Sequence, residues 1–164
     1  MVWNNQTEQY IKALLEKCQQ HQWIHAQSEH YYSKRNTIYT CVALSLTSLT
    51  GTLTFATSNN RDNFNINIIM GSVLYVSTVI TGFQKFMNYE TLTVKHKTIY
   101  GKYSELERYV QGQLLLDSEL RKDANELQSE ISEKLKEITD NMPIVPHSIT
   151  VEFEKRRNLF ADNV

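Results

Sequence analysis

Two long stretches without a charged residue constrain this chain more than any other feature. Arg35 is followed by 25 uncharged residues ending at Asn60; after Arg61 and Asp62, a second uncharged stretch runs from Asn63 to Gln84. An α-helix rises about 1.5 Å per residue and the hydrocarbon core of a bilayer is about 30 Å thick, so each stretch is long enough to cross it. Their apolar cores, Ile38 to Ala56 and Ile66 to Phe83, are rich in Ser and Thr. A hydroxyl can return its hydrogen bond to the carbonyl four residues back, so in lipid it costs far less than a charge. The pair reads as a helical transmembrane hairpin, with spans at 37–57 and 65–84. The competing reading is two buried helices of a soluble bundle.

Composition narrows the rest. The 164 residues make about one domain. A net charge of −1 with 21 % charged residues excludes a nucleic-acid-binding arm or an acidic disordered tail as the main theme. Five Gly and two Pro exclude collagen-like and Pro-rich classes, and two Cys are too few for a disulfide scaffold. The mean hydropathy of −0.43 would suit a soluble protein, but it averages over charges that are unevenly placed.

The hairpin has a predicted orientation. Lys34 and Arg35 precede the first span, Lys85, Lys95 and Lys97 follow the second, and the turn around Ser58 to Asn65 offers only Arg61 beside Asp62. The positive-inside rule puts both termini in the cytoplasm. MVWNNQTEQY has neither a basic start nor an apolar run, so no cleavable signal peptide is expected and the first span is its own anchor. The sequon Asn5-Gln6-Thr7 is then unused. With Cys18 in the cytoplasm and Cys41 in the first span, no disulfide is expected.

Helical periodicity continues on either side. Ile11, Leu14, Cys18, His21, His25 and Tyr32 recur at helical spacing in a 1–36 segment that has no Gly or Pro. Over 85–140 two stripes follow without a breaker after the second span. The first is Leu92, His96, Ile99, Tyr103, Leu106, Val110 and Leu114; Gly101 and Gly112 weaken it without ending it. The second is Leu120, Ala124, Leu127, Ile131, Leu135 and Ile138, with Asp117 or Ser118 as N-cap and a Glu/Lys-rich outer face. Pro143 and Pro146 stop it, and 141–164 is a tail with a short amphipathic segment from Ile149 to Phe160. The expected architecture is all-α, a membrane hairpin extended by long cytoplasmic helices that form a small bundle.

Candidate chemistry is sparse. His21 and His25 lie four apart on one face, a spacing that can bring two imidazoles to one metal, but no HExxH or CxxC accompanies them and no metal site is assigned. They read as helix-interface residues facing His96, and a histidine on such a stripe can make a pH-sensitive contact. Tyr31, Tyr32 and Tyr39 at the start of the first span, with Phe83, Phe86 and Tyr89 at the end of the second, stand where an aromatic belt belongs. On the first span Thr40, Thr47, Gly51 and Thr54 share a face, with Cys41, Ser45, Ser48 and Thr52 beside it; Gly71, Tyr75, Thr78 and Gly82 do so on the second. Small residues let helices pack closely in lipid, and a hydroxyl face can instead line a water-filled axis among several copies. Periodicity does not separate the two. The candidate pore-lining residues are Thr40, Thr47, Ser48, Gly51 and Thr54. No nucleophile with its base, phosphate loop or paired acids is found, so neither an enzyme nor a cofactor is expected.

The order of parts resembles a known family. HxxxxYYSKRN from His25 to Asn36, a Ser/Thr-rich hairpin, and KHKTIYGKYSELERYVQGQL from Lys95 to Leu114, with His96, Tyr103 and Leu106 at its core, are similar to the SLATT domains. These are two-span membrane proteins. IVPHSITVEFEK, from Ile144 to Lys155, is similar to the ending of versions carried by large DNA viruses. The resemblance implies a membrane effector, an oligomeric pore, of a kind often coupled to nucleotide-activated defence systems. It supplies no catalytic residues and marks His25, His96 and Tyr103 as helix-packing positions, with His21 and Leu106 in the same interface. The chain holds no nucleotide-binding segment, which departs from the fused pattern and leaves the trigger open.

Three functions follow as expectations. The first is a homo-oligomeric pore in a bilayer. The second is a non-conducting anchor or scaffold in a virion inner membrane or a host-cell membrane, whose Leu120, Leu127, Ile131 and Leu135 bind a capsid or effector protein. The third is a soluble helical interaction module.

Overall fold

The computed structural model describes Trp3, residues 5–56 and residues 64–161. It is all-α, with α1 Asn5–Ala56, α2 Phe64–Met87, α3 Tyr89–Leu115, α4 Ala124–Asp140 and α5 His147–Ala161. The expected turn at 58–65, with Arg61 and Asp62, falls outside the described residues except at its end. The chain divides into two compact units: a helical unit of residues 1–30 and 93–164, and a hairpin unit of residues 31–92.

In the helical unit three seams step by three and four residues and meet. Ile11, Leu14, Cys18, His21, His25 and Ser28 line α1; His96, Ile99, Tyr103, Leu106 and Val110 line α3; Ala124, Leu127, Ile131 and Ile138 line α4. This 3–4 spacing keeps one helix face toward its neighbours and makes long antiparallel packing possible. The direction is fixed by pairs: His21 stacks on Tyr103 while His25 meets His96, so α3 runs back along α1. Lys102 reaches Glu137 at 2.6 Å and Tyr109 donates to Glu130 at 2.6 Å, so α4 runs back along α3. Trp23 of α1 packs on Phe153 of α5, and the Arg156 guanidinium lies 4.9 Å over the Trp23 ring.

Two local expectations are corrected. The helix expected to run on from the second span is interrupted at Asn88, which takes φ 52° and joins α2 to α3. Its N–H donates to the Gln84 and Lys85 carbonyls at 3.1 and 3.2 Å, closing α2 in the left-handed conformation that Asn tolerates better than most residues. The N-cap of α4 is Asp123, not Asp117 or Ser118. Its side chain accepts the Asn125 and Glu126 N–H groups at 2.9 and 3.4 Å. The Asp117 carbonyl instead accepts from Leu120 and Arg121 and opens a separate turn. Gly101 and Gly112 lie inside α3, and α5 begins directly after Pro146.

Within the hairpin unit, the α1 segment from Tyr31 and α2 run antiparallel. Gln84 near the end of α2 meets Asn36 and Thr40, while Ser77, nearer its middle, meets Thr47. Both helices are long and apolar enough to cross a membrane.

Candidate functional site

The hairpin seam is polar. The Gln84 side-chain amide donates to Asn36 Oδ1 at 2.8 Å and to Thr40 Oγ1 at 2.7 Å. Farther along, Thr47 and Ser77 hydroxyls are 3.0 Å apart, and Ser77 also lies 3.3 Å from the Ala43 carbonyl. Thr50 and Ser77 are buried. Most hydroxyls of both spans also use the backbone of their own helix. Thr47, Thr50, Thr52 and Thr54 in α1, and Ser72, Thr78 and Thr81 in α2, each donate to the carbonyl four residues back.

Two of the five residues expected to line a pore make hydrogen bonds within the hairpin seam. Thr40 and Thr47 turn toward α2, because their oxygens bond its Gln84 and Ser77. Thr54 bonds the Thr50 carbonyl. Ser48 and Gly51 are exposed, and a Cβ built on Gly51 meets nothing within 4 Å. Gly71 and Gly82 are equally open, so the close approach in this hairpin is made at Ala43, Thr47, Thr50 and Ser77 and not at glycines. Sequence reasoning passed over Ser77 and Gln84 as seam residues. The available signal was position: Asn36 opens the first uncharged stretch and Gln84 closes the second.

The open end of the hairpin carries the aromatic residues. Tyr39 stacks on Tyr89 at 5.7 Å and tilts against Phe83 at 5.7 Å; Tyr32 packs on Tyr89 and edge-on against Tyr31. The Arg35 guanidinium sits 4.4 Å over Tyr31, a cation–π contact. Phe86 is exposed beside them.

In the helical unit the structure brings together His21, His25, His96 and Tyr103. The Nδ1 atoms of His25 and His96 are 2.9 Å apart, and both residues are fully buried. Tyr103 stacks on His21 at 5.3 Å and on His25 at 6.0 Å. Leu106, one turn on, is buried in the same core. Burial, then the neighbouring His96 and His21, push His25 down to about 4; burial also lowers His96, against the pull of the Ile144 backbone. Burial and then Lys17 lower His21. Burial and then Glu107 push the Cys18 thiol up to about 11, which leaves it an inert core residue. Among the described residues no group of three or more His, Cys, Asp or Glu is placed to hold a metal ion.

The expected partner-binding stripe is corrected. Leu127 and Ile131 have no exposed surface, because α4 turns them into the core shared with α1 and α3. Leu135 is half-buried against that core. Only Leu120 is free, 70 % exposed, and it precedes α4 in the connection from α3. No family model, curated protein or solved structure matches the chain, so its own geometry carries the functional reading.

Proposed function

We propose that the chain is an integral membrane protein with two spans and with the helical unit and both termini in the cytoplasm. The observation that carries this is where the apolar residues go. Only 11 % and 6 % of the two most apolar helical windows are buried. A core helix of a soluble protein is mostly buried, so these surfaces need a solvent of their own. Large apolar side chains such as Leu44, Phe55, Ile69 and Val79 are exposed there. The aromatic and basic groups at the open end, with Lys34, Arg35 and Lys85 beside the spans, support the assigned depth and orientation.

In that membrane the chain works as a homo-oligomeric, channel-like assembly, the role implied by the SLATT resemblance. The seam with α2 occupies Thr40 and Thr47, so the lining face is the opposite one: Cys41, Ser45, Ser48 and Thr52, all exposed. A second reading is favoured by one observation. Leu115, Leu116 and Leu120 stand exposed where α3 gives way to α4, as an anchor that holds a partner protein requires.

An alkaline carbonate wash with crosslinking comes first. Retention in the pellet with a defined ladder is the expected result, and release into the supernatant removes the membrane reading. Ion flux in liposomes, reduced by Ser48→Leu and Thr52→Leu, then supports the channel. Retention without flux, with a partner lost in Leu115→Ser/Leu120→Ser, supports the scaffold.

A further inference from the structure

His25 and His96 form a buried pair of titratable groups that neither the spans nor the lining face uses. With 2.9 Å between the Nδ1 atoms, one must donate and the other accept, so the neutral rings hold opposite tautomers. The surroundings offer a proton little help. From α1 the neighbour is His21, itself under the influence of the Lys17 cation; from α3 it is Tyr103, stacked on both α1 rings. The Ile144 backbone, between α4 and α5, acts on His96, and Thr139 of α4 bonds Tyr103. A first added proton places a cation on one of two fully buried rings. A second sets N–H against N–H between two cations at hydrogen-bond distance, which the packed pair cannot hold.

The geometry points to an acid-operated joint: the neutral His25–His96 pair locks α1 to α3 within the helical unit, and its protonation parts them. The inference is independent of the pore and membrane readings. The sign follows from linkage. His25 is depressed from 6.5 to about 4 in the folded chain, so the unfolded or opened state binds more protons between those values. The joint is at full strength above 6.5 and weakens as the pH falls toward about 4, where the loss is complete.

The test uses the full chain in detergent micelles. Hydrogen exchange of the amides around His25 and His96, corrected for the intrinsic pH dependence, is compared at about pH 7.5 and about pH 4.5. Exchange at these helices is expected to accelerate at least about tenfold relative to residues 66–84, since each pKa unit crossed is worth a factor of ten. The double variant His25→Gln/His96→Gln keeps a donor and an acceptor but cannot titrate, and it should lose the acceleration. If the variant does not fold, the imidazole nitrogen signals of the unaltered chain decide. Rings that stay neutral well below pH 6.5 while exchange at these helices rises support the joint. A ring that titrates near 6.5 with exchange unchanged overturns it, as does acceleration that persists in the folded double variant.

Discussion

The two units of this chain are both built from helices that meet at a 3–4 spacing, and they bury opposite kinds of side chain. In the helical unit the seam holds Ile11, Ile99, Leu106, Leu127 and Ile131, and the charges face outward in pairs such as Glu8–Lys12 and Lys102–Glu137. Among the described residues of the hairpin unit, Thr50, Ser77 and Tyr89 are buried, while Phe55 and Phe86 are each 84 % exposed. A seam records what its solvent rejects. Water rejects hydrocarbon, so leucine goes inside; in the bilayer proposed for the hairpin, burying leucine against leucine brings no reward, and hydroxyls and amides would make the contact.

Three substitutions sharpen or break that contrast. The largest effect is expected for Leu127→Asp, which places an unpaired charge where nothing is exposed. A loss of about 3–5 kcal/mol or more should abolish the protease resistance of the helical unit and leave membrane retention intact. Loss of both together would mean that the hairpin depends on the helical unit and that the contrast is misdrawn. Next comes Val76→Arg, on a face of α2 that is already exposed. In a bilayer the arginine costs about 2.5–3.5 kcal/mol and should reduce carbonate-resistant protein. In water an exposed site tolerates the same change within about 0.5 kcal/mol, so unchanged retention would return the face to water. The smallest is Ser77→Ala, which removes one seam hydrogen bond. It should cost about 0.6 kcal/mol in a detergent unfolding titration, the usual worth of such a bond between membrane helices.

Much of this fold was legible from spacing and from where charges are absent. The two apolar helices follow from the uncharged stretches, the stop after α4 from Pro143 and Pro146, and the helix-interface reading of His25 and His96 from periodicity. What periodicity states is that a face is covered, never by what. Leu127 and Ile131 therefore read as a partner surface until α1 and α3 were seen to cover them. Periodicity put Thr40 and Thr47 on one face of the first span and left open whether that face packs on another helix or lines a pore; the bonds to Gln84 and Ser77 turn both residues toward α2. Asn88 was missed for another reason. A single left-handed residue ends one helix and starts the next without interrupting the hydrophobic pattern, and only its tolerance of positive φ hints at the joint.

The backbone-directed hydroxyls of α1 also bear on how such a hairpin is made. Thr47 donates to the Ala43 carbonyl at 2.8 Å, a bond that needs no residue of α2, while its partner Ser77 lies 30 residues farther along. The Thr47 donor is therefore satisfied within the first helix before Ser77 has been added to the chain. In the bilayer proposed above, the helix would leave no open donor at that position. Ser77 then arrives as a donor to an oxygen that still has a lone pair to offer, so insertion and pairing are separate events in time.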